Sequence, residues 1–417
     1  GKVLLLNGNL ITMQAGQEPV LLKTDLLIEN DRITEIGPDL EVSNPDFTLD
    51  ISGKFVLPGF VDTHAHLPLL RRVIGSEAWS LAASLAYGVT TAIDVQPSTI
   101  DILDYANLVE SGKLIGPRVL TTGPGVFMDN EFKSQAHAKN VLSRYKNHYG
   151  VNNIKSYISG SREQRQWLAI ASQQLQLMTT TEGALDLKRN ITHAIDGFAG
   201  NEHNLPVIGI YTDVTKLYGH TQIAYTPTLL VAYGGPFALN YFVSQESPWL
   251  NEKLRRFTPP HVLEQTLLRS NWVHPIEHVF TKHAQQARKI LKDGGRVGIG
   301  SHGELQGLGY HWELWAVASG GFTPLEALNA ATLHGAEMIG VATDVGSITE
   351  GKLADLVVLQ ENPLDDIRAT TTSSFVIKNG VVYEAETLSE IWPNKRELNQ
   401  PFWSDHIPEQ NQPAVQN

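Results

Sequence analysis

The feature that most constrains the fold is an alternation of strand-like and helix-like segments over roughly residues 60–345. Apolar runs at residues 89–93, 118–122, 153–158 and 226–231 predict strands. Two capping boxes, beginning at Ser161 and Thr323, predict helix starts ahead of apolar residues at helical spacing. Such alternation predicts an α/β fold with a parallel sheet, and over residues 59–345 it favours a (β/α)8 TIM-like barrel.

Both ends of the chain have a different pattern, in which short strands of alternating polarity are separated by turn residues. Asn379 and Gly380 stand between two apolar runs and predict a β-hairpin. We predict one small β-sandwich domain from residues 1–58 and 346–395; the alternative is two unrelated β caps. Residues 232–275 are too long for an ordinary connection and predict an insertion or lid, whereas residues 396–417 predict a C-terminal tail.

Composition excludes several classes of function. Lys and Arg total 32 against 44 Asp and Glu, so the formal net charge is −12, and no dense basic run suggests a nucleic-acid partner. No apolar stretch approaches the length of a membrane span. Cysteine is absent, which excludes disulfides and thiolate metal sites. A metal ion in this chain would depend on imidazole, carboxylate or lysine-derived oxygen ligands.

The sharpest chemical signal is the pair His64 and His66 at the end of a predicted apolar strand, close after Gly59 and Asp62. Side chains alternate along a strand, so both imidazoles point to the same side. At the carboxyl end of a barrel strand they would face the mouth where barrel enzymes act. Two such imidazoles make half of a site for Zn²⁺ or a similar ion, although an isolated His-x-His can also be a chance surface pair.

Three segments resemble the amidohydrolase superfamily: PGFVDTHAH (58–66), TPLEALNAATLHGAEMIG (323–340) and GSITEGKLADLVVL (346–359). The resemblance implies a metal-dependent hydrolase on a (β/α)8 barrel, with a β-sandwich built from both chain ends. Within the superfamily the chain looks most similar to the imidazolonepropionase-like amidohydrolase domain of large bacterial Tol-type β-propeller proteins. That likeness, together with a start at Gly1, leads us to expect an upstream domain in the full-length protein and a periplasmic or exported location; a cytoplasmic one is also compatible.

The resemblance implies further metal ligands. The strand-four lysine, carboxylated in many members, corresponds to Lys155, and the strand-six histidine corresponds to His203. A buried lysine amine loses its proton more easily than an exposed one and can then add CO₂, giving a carbamate on Lys155. The alternatives are a surface lysine on an edge strand and a structural histidine.

Two positions depart from the family pattern. Strand five usually ends in a ligand histidine, where this chain has Glu182, and strand eight usually ends in an aspartate, where it has His302. The two departures leave the summed ligand charge unchanged, which favours a working, rearranged site over a degraded one. We therefore expect one or two divalent metal ions, Zn²⁺ first and Mn²⁺, Co²⁺ or Ni²⁺ as alternatives. The predicted ligands are His64, His66, Lys155, Glu182, His203 and His302.

The predicted function is hydrolysis of a C–N bond in a small amide, cyclic amide or dipeptide-like substrate by a metal-activated water. His302 or Glu182 would act as the catalytic acid or base, and the sequence leaves open which of them is a metal ligand instead. One alternative is a non-catalytic metal-binding module attached to an upstream propeller, and another is a mononuclear deaminase-like enzyme. Superfamily members are often oligomers, so a homo-oligomer is also expected.

Weaker candidates lie after the predicted strands. His311 follows strand eight and could contact substrate or cap a helix, and Arg162 follows strand four and could bind a substrate carboxylate or start a solvated helix. Glu304 could make an outer contact to His302. Aromatic side chains of the insertion could line a pocket or form its own small core: Tyr233, Phe237 and Trp249.

Overall fold

The computed structural model describes residues 1–16, 18–75, 78–127, 130–399, 401 and 403, and it has a mixed α/β architecture. Its strands in chain order are β1 (Lys2–Leu10), β2 (Leu21–Glu29), β3 (Arg32–Gly37), β4 (Phe47–Asp50), β5 (Phe55–Pro58), β6 (Phe60–Ala65), β7 (Val89–Asp94), β8 (Arg118–Thr121), β9 (Asn153–Ser156), β10 (Met178–Glu182), β11 (Gly200–Glu202), β12 (Ala224–Thr226), β13 (Arg296–Val297), β14 (Leu356–Leu359), β15 (Ser373–Lys378), β16 (Val381–Glu384) and β17 (Glu390–Trp392). The α-helices are α1 (Trp79–Ala86), α2 (Ile102–Glu110), α3 (Gln135–Arg144), α4 (Arg162–Leu175), α5 (Leu187–Ile195), α6 (Thr212–Thr221), α7 (Ala238–Glu246), α8 (Glu252–Phe257), α9 (Pro260–Arg269), α10 (Phe280–Lys292), α11 (Leu308–Ala318), α12 (Pro324–Ala331) and α13 (Leu333–Met338).

The two chain ends share one sheet, with strand order β17-β16-β15-β14-β5-β1-β2-β3 and β4 paired to β1. The ends meet where β5 pairs antiparallel with β14. This sheet has its own core of buried aliphatic side chains, among them Val3, Leu5, Leu26, Val56 and Val358. The two β-rich ends are therefore joined by backbone pairing, which is the arrangement that a single terminal domain requires.

The predicted hairpin between β15 and β16 is confirmed. Asn379 and Gly380 connect the two strands with positive φ angles of 49° and 75°. A Cβ atom on Gly380 would lie 2.0 Å from the carbonyl oxygen of Asn30. Only glycine therefore fits position 380, because both the positive φ and the close carbonyl oxygen exclude a side chain there.

The middle of the chain forms two parallel sheets, β6-β7-β8 and β9 to β13, with helices between successive strands. Backbone hydrogen bonds also join the two sheets, through the segment that follows β8 on one side and through β6 on the other. On one side Val126 N donates to Lys155 O (2.8 Å), and Tyr157 N donates to Val126 O (2.7 Å). On the other side Thr63 N donates to Ile299 O (2.9 Å), and His302 N donates to His64 O (2.8 Å).

The strand predicted at residues 226–231 is wrong except at its first residue, Thr226. Strand β12 ends at Thr226, and Leu229–Val231 forms a 3-10 turn instead. Pro227 cannot donate to a strand ladder, and Thr228 has the left-handed φ of 44°. The apolar run resembled a buried strand because its residues are buried, yet the backbone turns away at the proline.

The segment predicted as an insertion, residues 232–275, contains α7, α8 and α9. It packs on the rest of the molecule through buried apolar side chains, including the stacked rings of Phe242 and Trp312 (5.6 Å between centroids). Its later part leaves Leu268 and Trp272 exposed.

The predicted tail begins with ordered residues, because Arg396 pairs with the buried Glu390 (2.6 Å) and Trp403 is also buried. Its remaining residues, 400, 402 and 404–417, lie outside the described part of the chain. Among the described residues, we find no helix whose length and apolar content would let it cross a bilayer.

Candidate metal centre

The centre is built at the carboxyl end of β6, where His64 is fully buried. Asp62 anchors this strand end: its carboxylate accepts from His64 N (3.1 Å), Ser301 N (3.0 Å) and Ser301 Oγ (2.5 Å). Burial raises the pKa of Asp62 to about 6, against the effect of these hydrogen bonds. The Asp62 side chain thus ties the end of β6 to the loop that carries His302.

Three histidines converge there. One ring nitrogen from each of His64, His66 and His302 lies within 4.8 Å of the others. The ring centroids of His66 and His302 are 4.7 Å apart, and those of His64 and His66 are 5.2 Å apart. The approach depends on Gly303, where an added Cβ atom would lie 2.3 Å from the carbonyl oxygen of His66.

A second group of predicted ligands adjoins the first. Lys155 Nζ lies 2.8 Å from Glu182 Oε2, and His203 Nε2 lies 2.7 Å from Glu182 Oε1. The His203 ring centroid is 5.0 Å from that of His64, so all six predicted metal ligands come together in one place. Burial opposes ionisation of Glu182, but Lys155 and His203 outweigh it and hold the pKa of this carboxyl below its ordinary value.

Burial favours the neutral form of His64 and of His203, and each ring has a partner at Nδ1. Burial, together with the nearby Lys155, holds the pKa of His64 well below its ordinary value, and burial also lowers the pKa of His203 against the effect of Glu182. His64 Nδ1 is 2.6 Å from Glu202 Oε2, and His203 Nδ1 is 2.5 Å from Thr228 Oγ1. The opposite nitrogen of His64, Nε2, is buried without a hydrogen-bond partner among the described residues.

Sequence reasoning missed Glu202 and Thr228 as partners of the ligands. Glu202 is the last residue of β11 and precedes His203, so strand alternation predicts that the two side chains point to opposite faces. The backbone leaves the strand at His203, which has a φ of 66°, and both side chains therefore reach the centre. For Glu202, its place beside the candidate ligand His203 was the one signal in the sequence that it could be a partner. Thr228 lay within a segment predicted as a strand, so the sequence gave no sign that its hydroxyl contacts a ligand.

The donor set fits a divalent metal ion. A buried imidazole nitrogen without a partner carries a desolvation cost that a bound cation would remove. Neutral imidazoles together with a carboxylate are ligands for Zn²⁺ and related ions. Carboxylate or hydroxyl partners at Nδ1 leave Nε2 available as the coordinating atom.

The weaker candidates lie in different surroundings. His311 is fully buried, and its two ring nitrogens contact Tyr87 O (2.8 Å) and Thr370 Oγ1 (3.0 Å), so neither is left for a substrate. Arg162 binds Asp196 through two hydrogen bonds, 2.8 and 3.0 Å, at an exposed helix start. The structure therefore gives both residues a structural role.

Tyr233 and Glu304 border the centre. The Tyr233 hydroxyl donates to Glu182 Oε1 (3.3 Å), and its ring centroid lies 5.2 Å from that of His203. Glu304 Oε1 lies 3.7 Å from His302 Nδ1. The other aromatic side chains singled out in the insertion, Phe237 and Trp249, are exposed.

Comparisons with known proteins agree with this architecture. A sequence profile described as amidohydrolase family matches residues 55–384. The chain is 25% identical over 405 residues to a 5'-deoxyadenosine deaminase of Methanobrevibacter smithii, covering 88% of this chain and 86% of the relative. It is 39% identical over 88 residues to a dihydroorotase of Acetivibrio thermocellus, covering 21% of this chain and 20% of the relative. A crystal structure of a Xaa-Pro dipeptidase with bound methionine superposes with a TM-score of 0.68 at 20% identity, covering 92% of this chain and 100% of that one.

Proposed function

Because this chain belongs to the amidohydrolase family and is a hydrolase acting on C–N bonds, we propose that it cleaves a small amide, cyclic amide or dipeptide-like substrate with one or two divalent metal ions. The observation that carries the proposal is the convergence of His64, His66 and His302, whose ligand atoms lie within 4.8 Å of one another. The names of the deaminase, dihydroorotase and dipeptidase relatives all denote reactions at bonds to nitrogen, which supports this reaction class.

We also propose that the two parallel sheets close into a (β/α)8 barrel that carries a β-sandwich from both chain ends. The backbone hydrogen bonds from Val126 to Lys155 and from Thr63 to Ile299 support closure at both edges. In such a barrel the six predicted ligands would lie at the carboxyl ends of the strands, where barrel enzymes place their chemistry.

The likeness to Tol-linked imidazolonepropionase-like proteins, an upstream domain, an exported location and oligomerisation remain proposals that rest on the sequence resemblance.

Six residues would hold the metal ions. His64, His66 and His302 would hold one, and His203, Glu182 and a carbamate on Lys155 would contribute to a second, with Zn²⁺ as the first choice. A bound divalent ion supplies Lewis acidity, which lowers the pKa of a water molecule and polarises the scissile carbonyl. The mouth above the centre would admit the substrate between the loops that follow the strands.

The remaining chemistry falls to the chain's own side chains. Glu182 accepts a hydrogen bond from the Tyr233 hydroxyl and lies at the junction of Lys155 and His203. There a carboxylate can take a proton from the attacking water and return it to the leaving nitrogen. His302, on its loop beside Glu304, is the alternative group for this transfer. The Tyr233 hydroxyl can turn from Glu182 towards charge that develops on the substrate oxygen.

Elemental analysis of the purified chain beside Lys155→Ala tests this function. We expect two equivalents of metal in the wild type and one or none in the variant, because Lys155 would supply an oxygen ligand once carboxylated. Lys378→Ala, which removes a buried lysine from β15, is the matched control and should keep the wild-type content. A screen of dipeptides, N-acyl amino acids and cyclic amides then identifies the substrate. A metal content unaffected by Lys155→Ala would contradict the two-metal site.

A mononuclear deaminase is the second candidate, and the match to a deaminase over 88% of the chain favours it. The three-histidine cluster would by itself hold a single ion. This candidate predicts one equivalent of metal, retained in Lys155→Ala, and ammonia release from adenosine-like nucleosides.

A further inference from the structure

Helix α11 contains an acidic residue that the mechanism above does not use. Residues 308–317 of this helix are all buried, and Glu313 is 0% exposed among apolar neighbours. Its two carboxylate oxygens accept from Leu229 N (2.8 Å) and Leu230 N (2.9 Å). Burial raises the pKa of Glu313 to about 8. An acidic side chain is costly to bury without a cation, and the raised pKa reflects that cost, so its presence at this position calls for a reason.

The two amides belong to the turn that follows β12. Thr228 stands at the start of this turn with a φ of 44°, in the left-handed region that a β-branched residue rarely adopts. The first amides of a helical turn have no partner within the turn itself. Glu313 satisfies two of them from across the core, directly after the positive φ of Thr228, a conformation that persists only where surrounding contacts enforce it.

This turn also contacts a predicted metal ligand, His203. Thr228 Oγ1 lies 2.5 Å from His203 Nδ1, and the His203 backbone also has a positive φ, of 66°. Without a metal ion, Nε2–H donates to Glu182 Oε1 (2.7 Å), and Nδ1 accepts from the Thr228 hydroxyl. With a cation at Nε2 the proton would be on Nδ1 and the same hydroxyl would accept it, so Thr228 orients the ring in both states. Rotation of Thr228 out of the left-handed region would move the hydroxyl away and release the ring.

We propose that Glu313 is a positioning residue for His203, because it holds the turn at residues 228–231 in the conformation in which the Thr228 hydroxyl orients the imidazole for metal binding. This inference rests on the proposed function, in which His203 is a ligand. It gives the buried carboxylate a role that acts through two backbone amides and one hydroxyl, without contact to metal or substrate.

Titration with Co²⁺, followed by its visible absorption, tests the inference on four proteins: wild type, Glu313→Gln, Thr228→Val and the double variant. Glutamine places an NH₂ group against one of the two amides, and valine keeps the shape of threonine without its hydroxyl. We expect each single variant to weaken Co²⁺ binding about 10- to 100-fold and to change the absorption band. The double variant should be no weaker than the weaker single variant, since both act on one pathway.

Two controls separate positioning from general stability. Thr228→Ser keeps the hydroxyl and should restore binding close to that of the wild type. Trp315→Phe removes the indole hydrogen bonds to Ile367 O and Thr370 Oγ1 from the same helix, and it should lower the thermal midpoint without changing Co²⁺ affinity. Unchanged Co²⁺ affinity in a folded Glu313→Gln, or effects that add in the double variant, would overturn the inference.

A second measurement distinguishes failure of the positioning role of Glu313 from failure of the proposed metal site. If the wild type binds no Co²⁺, the proposed metal function fails, and nitrogen NMR of ¹⁵N-histidine protein decides the positioning role alone. In the metal-free wild type we expect His203 Nδ1 to accept the hydrogen bond of the Thr228 hydroxyl, which shifts the Nδ1 resonance upfield, and we expect this shift to be lost in Glu313→Gln and Thr228→Val. The same Nδ1 resonance in all three proteins would refute the role of Glu313.

Discussion

At the scale of single residues, the chemistry of this protein depends on positions where the backbone leaves regular structure. His203, Thr228 and His302 all have positive φ angles, and each lies just beyond a strand of the parallel sheets. Such conformations cost free energy and persist only where surrounding contacts enforce them. The hydrogen bonds that Ser301 donates to Asp62, and that Leu229 and Leu230 donate to Glu313, supply that enforcement.

The role of Glu182 can be separated from metal binding by the substitution Glu182→Gln. We expect turnover to fall at least about 100-fold, because an amide cannot accept the proton that a carboxylate accepts. The ion held by His64, His66 and His302 should remain, since these three side chains are unchanged, and only the second ion, to which Glu182 would contribute, should be weakened. Steady-state kinetics and elemental analysis on the same preparation measure both effects. Glu361→Gln, which changes an exposed carboxyl after β14, serves as the control. Loss of the first ion as well, in parallel with activity, would show that Glu182 acts through metal binding and not as the proton carrier.

At the scale of elements, the helix starts were the part of the fold that local sequence specified best. The predicted capping boxes at Ser161 and Thr323 are both confirmed, with reciprocal bonds to Gln164 and Glu326. A capping box involves two residues three positions apart, so its stability depends on one short segment of the sequence. The ends of strands were harder to predict. After β12 the apolar run continues past Pro227, and the turn that replaces the strand is bonded to Glu313, which is distant in sequence.

The capping box of α12 provides a stability test of an element. Thr323→Ala removes the side-chain acceptor for Glu326 N, and we expect a loss of about 1 kcal/mol in the free energy of unfolding. Thr323→Ser keeps the hydroxyl and should lose only a few tenths of this amount. Thermal midpoints of the two variants, measured under the same conditions, compare the outcomes. Equal midpoints for alanine and serine would show that the cap contributes nothing measurable.

At the scale of the whole molecule, charged side chains tie the terminal sheet to the parallel strands and to the insertion. Arg118 of β8 binds Asp355 (2.6 Å) and Asn379 (2.5 Å) of the terminal sheet region. Lys253 of α8 is buried between the insertion, the terminal sheet region and the residue that follows α1. Its ammonium lies 3.1 Å from Ser373 Oγ, 3.4 Å from Glu386 Oε1 and 4.9 Å from the centre of the Tyr87 ring.

The stability of this junction should depend on pH. Burial lowers the pKa of Lys253 from 10.5 to about 8, although Glu386 acts in the opposite direction. Between these pH values the unfolded chain holds a proton that the folded chain has released. This group therefore makes the free energy of unfolding rise with pH across that window, by about 3 kcal/mol at most.

The substitution Lys253→Met removes the titrating group, so the difference in thermal midpoint between wild type and variant should shift in favour of the wild type from pH 8 to pH 10. Lys23→Met, at an exposed lysine, is the control and should leave the pH dependence of the wild type unchanged. A wild type and a Lys253→Met variant with parallel pH profiles would contradict the prediction.

The sequence by itself determined the alternation of strands and helices in the middle of the chain, the β character of both ends and the hairpin at Asn379. It also determined two helix caps and the identity of six residues that meet at one centre. These depend on local periodicity, on turn chemistry and on a family resemblance. Only the tertiary structure decided which side chains orient those six. Glu202 and Thr228 became visible once the backbone was seen to leave its strands, and Glu313 once a distant helix was seen to pack on that turn. His311 and Arg162 found partners elsewhere in the fold for the same reason: a side chain's role depends on groups far away in sequence, whose positions no local pattern records.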